Sequence, residues 1–412
     1  MKDDKKVPQL RFPEFTDAWK QRKLSESAKF SKGNGYSKSD VTTKGIPLVL
    51  YGRLYTNYET VISNIDTYSE LKKDGSVVSK GGEILVPASG ETAEDISRAS
   101  VIKDSGVLIG GDLNIIYPSN DIIPSFLALT ITNGNIHKEM TKLAQGKTVV
   151  HLHNSDLSKI RFYAPSYNEQ IRITEIFSNI DSNITLQQRK LNSLQKLKKG
   201  LLQKIFPKKG ENIPEIRFPK FSDAWKQRKF GDVLVSIQTG TNKLGSDRNS
   251  GQPLLKMGNL QSGYFDLSKL EFLENKAEPE NIVKQGDFFF NTRNTLELVG
   301  KGATWFGESN KYAFNSNIAR FTLKDINTGF FNYLYNTNYV KKQIRARAMG
   351  TTSVAAIYPR SLKSVDIVIP NMEEQIKLSN LFMNLDSTIT LQQRKLESLQ
   401  KLKKGLLQQM FI

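Results

Sequence analysis

The chain has 412 residues, more than one ordinary hydrophobic core accommodates, so two or three domains are expected. With 38% hydrophobic and 24% charged residues the composition is globular; no run of eighteen apolar residues offers a membrane span, and the lack of cysteine excludes disulfides, thiol chemistry and cysteine-ligated metal. Fifty-nine Lys and Arg against 41 Asp and Glu leave a net charge of +18, the balance of proteins that meet a polyanion, although a merely soluble basic protein shares it.

Taken in chain order, the opening residues "MKDDKKVPQL" lack the apolar stretch of a signal peptide, which together with the missing cysteines predicts a cytoplasmic protein. A lead-in motif follows at residues 8–26, "PQLRFPEFTDAWKQRKLSE", whose Phe12, Phe15 and Trp19 read as core or packing residues rather than as base-stacking platforms. The first body then carries three loop-rich polar stretches. The first, 32–39, contains Lys32, Asn34 and Tyr36; the second, 88–98, contains Ser89, Thr92 and Arg98; the third, 145–153, contains Lys147, Thr148, His151 and His153. Residues 166–206 form a helical tail, and 207–214 is a linker.

The whole plan then recurs. "PEIRFPKFSDAWKQRKFGD" at 214–232 repeats the lead-in, with Phe218, Phe221 and Trp225 in the same places, and "ITLQQRKLESLQKLKKGLLQQMF" at 389–411 repeats "ITLQQRKLNSLQKLKKGLLQKIF" at 184–206. Between them the bodies match only in framework: "GIPLVLYGRLYTNY" from Gly45 with "GQPLLKMGNLQSGYF" from Gly251, and "KGGEILV" from Lys80 with "KQGDFFF" from Lys284. The second body's loop-rich stretches are 238–251 with Lys243 and Arg248, 291–295 with Asn291, Arg293 and Asn294, and 341–353 with Lys341, Lys342, Arg345, Arg347, Thr351, Thr352 and Ser353. Its basic helix is expected to end at Gly350, and its counterpart in the first body at Gly146. The charge is spread: +3 over residues 1–165, +4 over 166–206, +1 over 207–214, +8 over 215–370 and +2 over 371–412. The basic character therefore belongs to a globular surface, not to a tail.

In the first tail Ile173, Phe177, Ile180, Ile184, Leu191, Leu194, Leu201 and Ile205 recur at steps of three and four, interrupted by Gln187 and Lys198; the second repeats the pattern with Gln392 and Lys403 as the interruptions. A 3.5-residue apolar period held over about five heptads is a coiled-coil seam. From Glu169 to Phe206 such a helix, roughly 57 Å long at 1.5 Å per residue, needs a partner for its stripe. Packing on its own body is one solution. Antiparallel pairing with the near-identical second tail is the other, and it predicts that each helix's start lies against the other's end. A pseudo-twofold arrangement of two basic, unlike bodies suits a duplex with two different half-sites.

Catalytic signatures are missing. There is no Pro-Pro pair for the Asn/Asp-Pro-Pro-aromatic motif of adenine methylation, and "NIIYP" at 114–118 does not replace it. "QGKT" at 145–148 lacks the upstream glycine of a phosphate loop, since Thr141 stands there. His137, His151 and His153 form no metal pattern; "HLH" on a strand places His151 and His153 on one face, as a surface or DNA-facing pair.

The doubled "RFPEFTDAW"/"RFPKFSDAW" with "WKQRKL"/"WKQRKF", the "EQ" pairs Glu169-Gln170 and Glu374-Gln375 after proline-bearing strand ends, and the doubled "LQQRKL" helices resemble, over nearly the whole chain, the specificity subunit of a type I restriction-modification system. The resemblance implies an α/β (α+β) fold in which two pseudo-repeated target-recognition domains, 1–165 and 215–370, are joined by two long antiparallel coiled-coil helices in 166–206 and 371–412. It implies a non-catalytic subunit without cofactor or metal that binds double-stranded DNA, each domain reading half of a bipartite site. Its implied partners are two adenine-methylating modification subunits and two ATP-dependent restriction subunits, with no membrane. A free-standing two-headed transcription regulator and a fused modifying enzyme are the competing readings. The missing motifs speak against the latter.

Overall fold

The computed structural model describes residues 7–144, 149–248, 250–351 and 353–412. The chain divides into two compact units, Met1–Gln188 with Lys395–Ile412, and Arg189–Arg394.

In the first unit a five-stranded sheet runs in the order Ala28–Lys32, Leu113–Pro118, Ile84–Pro87, Ser100–Ile102, Val61–Ile62. Its central strand, Ile84–Pro87, is buried along its whole length. Alternation explains the apolar run: Ile84 and Val86 face the helix Pro124–Asn133 and Trp19, while Leu85 faces a second apolar cluster with Leu113 and Ile115. A smaller four-stranded sheet, containing Ile46–Val49 and Leu108–Ile109, covers that second side. The second unit follows the same plan. In the strand Phe288–Asn291, Phe288 and Phe290 join one cluster and Phe289 the other.

The framework matches seen in the sequence are matched structures. Glu83 accepts the amides of Lys80 and Gly81 at 2.6 and 2.9 Å, and Asp287 accepts that of Lys284 at 2.9 Å, so both turns are closed by a carboxylate. Gly45 and Gly251 have φ of 124° and 105°, and a Cβ on them would lie 2.3 Å from the Ser69 carbonyl oxygen and 2.0 Å from that of Leu273. Only glycine fits either place.

The lead-in motifs serve to lock the base of each helix. Arg11 donates twice to Glu169 at 2.7 Å, and Arg217 twice to Glu374 at 2.8 Å; both carboxylates are fully buried. The neighbouring glutamines accept the amides of Ile123 and Asn327 at 2.9 Å, fixing the helix start to the body. Trp19 and Trp225 are each 2% exposed, edge-on to Phe126 and Phe330, as expected of core residues.

The long helices span Tyr167–Ile205 and Met372–Met410. Within the first unit Phe177, near one helix's start, packs on Phe411 at the other's end with ring centroids 5.9 Å apart, and Lys403 pairs with Asp181 at 2.5 Å. The second unit reciprocates: Phe206 packs on Phe382 at 6.1 Å, and Lys198 pairs with Asp386. The helices are thus antiparallel, and the lysines that interrupt the apolar period are there to meet an acid on the opposing helix. Both solutions for the apolar stripe hold at once, because Ile173, Phe177, Leu378 and Phe382 also belong to the cores of their own bodies.

Candidate nucleic-acid interface

Two of the three polar stretches in each body converge on a small antiparallel ladder. In the first body Ser89–Gly90 pairs with Val150–His151, in register Ser89 with His151, and Leu152 donates its amide to the Ala88 carbonyl at 3.0 Å. In the second, Arg293–Asn294 pairs with Ala355–Ala356, in register Arg293 with Ala356, and Ile357 donates to Thr292 at 3.0 Å. The two ladders correspond position for position in register. A third strand, Met349–Gly350, pairs with Ala355–Ala356 in the second body.

The first ladder is tied to the main sheet. Asn114, opposite Lys32 in register, donates its side-chain amide to the Leu152 carbonyl at 2.8 Å, and Asn154 donates to the Ser31 carbonyl at 2.7 Å. Lys32, Ser89, His151 and His153 are therefore neighbours. Both imidazoles are exposed and parallel, their planes 2° apart and centroids 6.4 Å apart, on the one face that strand alternation requires.

Other expected readers are differently employed. Tyr36 is 6% exposed, its hydroxyl bonded to Ser76 at 2.7 Å, and it packs with Leu48 and Leu108. Asn34 donates to the Gly75 carbonyl at 3.1 Å, Thr92 caps the helix Ala93–Ile96 through the Asp95 amide, and Arg98 is half-buried. Lys243 is bound to Glu278 at 2.8 Å and holds that carboxyl down to about 2. Asn291 is fully buried, accepting the Arg293 amide at 3.1 Å, and Asn294 accepts that of Thr295 at 2.8 Å. Arg248, Lys342, Arg345, Thr351 and Ser353 are exposed. Lys147, Thr148 and Thr352, with Gly146, lie outside the described residues.

The basic helix of the second body spans Asn338–Arg345 and ends at Ala346, not at Gly350. Gly350, at φ 126°, sits instead in the hairpin, where a Cβ would lie 2.3 Å from the Val354 carbonyl oxygen. Lys341 is half-buried, and burial together with the nearby Arg345 lowers its pKa. Arg347 spends its guanidinium on the carbonyls of Gln343, Ser361 and Ser364 at 2.6 to 3.2 Å. Replacement of Arg347 by Ala is expected to lower unfolding stability by about 1–3 kcal/mol. Replacement of Arg345 should leave the melting temperature within a degree or two and weaken DNA binding alone. Calorimetry paired with a DNA titration separates the two effects, and equal melting curves for both variants would contradict the assignment.

Val149, Val354 and Tyr358 were not among the residues picked out by loop position, yet they are 49%, 67% and 51% exposed at the ladders. Aligning "TVVHLHNSDL" at 148–157 with "SVAAIYPRSL" at 353–362 would have found them.

The model of the type I restriction modification DNA specificity domain matches residues 16–196 and again 222–401. The chain is 24% identical over 369 residues to the type I restriction enzyme MjaVIII specificity subunit of Methanocaldococcus jannaschii, covering 85% of this chain and 79% of that protein. It is 21% identical over 415 residues to the putative type I restriction enzyme MjaX specificity subunit of the same organism, covering 96% and 93%. The S subunit of a type I restriction-modification system from M. genitalium shares the fold, with a TM-score of 0.65 at 13% identity over 98% of this chain and 99% of that one. Two matches of the family domain, in register with two bodies built on one ladder and two locked helices, leave one conclusion: the chain belongs to the DNA specificity subunits of type I restriction-modification systems.

Proposed function

We propose that each body reads one half of an asymmetric, bipartite DNA site, and that the chain, itself without catalytic activity, positions two adenine-methylating modification subunits and two restriction subunits on that site in the cytoplasm. Residues 1–165 and 215–370 are the target-recognition domains, 166–206 and 371–412 the helical segments that join them, and 207–214 the linker. The observation that carries this reading is the contrast within the repeat. The buried Arg–Glu locks are the same in both units, while the ladders expose His151, paired with buried Ser89, in one body and Arg293, paired with half-buried Ala356, in the other. A scaffold kept and a reading surface changed is what two unlike half-sites require.

The helix repeat, presented twice in opposite directions, offers equivalent docking surfaces for two copies of one subunit. Phosphate contacts fall to the exposed cations Lys32, Arg248, Lys342 and Arg345. Co-expression of the chain with its modification subunits, followed by single-molecule sequencing of methylated adenines, tests the proposal. A split motif with one methylated adenine in each half, on opposite strands, is expected. A continuous motif, or methyl transfer by the chain alone, would overturn it.

A further inference from the structure

Strand alternation sets an outward row on each ladder. In the first body it is Val149, His151 and His153, with buried Val150 and Leu152 between; in the second it is Val354, Ala356 and Tyr358, with buried Ala355 and Ile357 between. The outer positions are alike in kind, a β-branched valine at one end and a planar ring at the other. The middle rung is exchanged. In the first body a long donor, His151, faces a small residue, Ser89; in the second the long donor is Arg293, on the opposite strand, and the small residue is Ala356. Each rung thus holds one long polar side chain, placed on opposite sides of the same backbone.

Among the described residues the Arg293 guanidinium makes no hydrogen bond or ion pair, and its backbone is held by the Oδ1 of fully buried Asn291 at 3.1 Å. The side chain is therefore free while its base is fixed. Arg360 stacks over Tyr358 at 5.7 Å, so the second row carries a further positive charge.

We infer that this rung is the specificity-determining position of each body, and that the valines and rings flanking it make contacts common to both half-sites. A side chain that distinguishes one half-site from the other must differ between bodies and reach outward, and this is the outward rung at which the ladders differ in kind. Residues of the same kind in both bodies serve features that every duplex presents: Val149 and Val354 touch base-pair edges through stiff apolar side chains, and His153 and Tyr358 stack on sugar or base. The free guanidinium fork of Arg293 matches guanine O6 and N7 in the major groove, so the second half-site contains a guanine read from this rung.

The inference rests on the half-site reading above, and the test separates the two. The full complex with modification subunits is assayed with the wild-type chain, Arg293→Gln, Arg293→Lys and Val354→Ala, and the methylated motif is mapped for each. A glutamine pairs with adenine where arginine pairs with guanine. Arg293→Gln is expected to lose about 5- to 100-fold of the preference for guanine at one position of the second half-site, moving it toward adenine, with the first half-site unchanged as an internal control of folding. Arg293→Lys, which keeps the charge without the fork, should leave that position degenerate. Val354→Ala should weaken binding without altering any recognised base. An unchanged second half-site in both arginine variants, or a changed base in Val354→Ala, overturns the inference. Absence of any split motif with the wild-type chain would instead refute the half-site reading on which it stands.

Discussion

Replacing Glu374 with alanine is expected to cost about 3–5 kcal/mol of unfolding stability, among the largest single-residue losses in the molecule. The carboxylate is fully buried and holds Arg217 through two bonds of 2.8 Å, and that guanidinium is itself only 10% exposed. Removing the acid leaves a buried cation with no compensating charge. Hydrogen bonding to Glu374 holds the Arg217 pKa above its ordinary value, as Glu169 does for Arg11. A raised guanidinium pKa adds stability that is fully present below the unfolded-state value and lost only as pH climbs through the folded one, so the arginine's contribution is flat across neutral pH. Changing both partners to apolar residues of similar volume should recover most of the loss, because a buried pair's desolvation offsets much of its attraction. Urea titrations of Glu374→Ala and of the double replacement check this. A single-variant loss below about 1 kcal/mol would class the pair with surface salt bridges and remove its role as the lock between lead-in and helix.

DNA affinity is expected to fall steeply with salt. If each body neutralises about five phosphates, log K against log salt should have a slope of roughly −9, so raising salt from about 50 to 200 mM weakens binding on the order of 10⁵-fold. The surface supplies the cations for this: Lys32, Arg248, Lys342 and Arg345 are exposed, whereas Lys243, Lys198 and Lys403 are already paired with Glu278, Asp386 and Asp181. Arg345→Ala should reduce the slope by about one without changing which sequence is preferred. Fluorescence anisotropy across the salt range measures it. A slope shallower than about −3 would mean that the +18 charge does not serve phosphate contacts.

How much of this was legible beforehand follows from what a repeat makes visible. The doubled tail and its 3.5-residue period are local spacings, and near-identity of the tails pointed to antiparallel pairing beside packing on the body; the acids that meet Lys198 and Lys403 came only with the structure. Trp19 and Trp225 were readable as core because a residue identical in both copies cannot distinguish two half-sites. The Arg–Glu locks were half-visible. "RFP" and "EQ" stood out as doubled motifs, but 158 residues separate Arg11 from Glu169, and nothing in the intervening spacing says they meet.

The reading surface was the least legible part. Loop position nominated Tyr36 and Asn291 alongside His151 and Arg293, since all are polar-capable residues in glycine-rich or polar stretches. Burial then separated them: Tyr36 and Asn291 satisfy the interior, and Arg347 ties its helix to the turn at 361–364. The sequence by itself determined the duplication and the two-body plan, because these rest on periodicity and on identity between copies, and its doubled motifs carried the resemblance to the family. Only the tertiary structure decided which polar side chains face outward and which rung of the ladder differs between bodies. Strand register and burial are set by contacts between segments some sixty residues apart, such as Ser89 with His151 and Arg293 with Ala356.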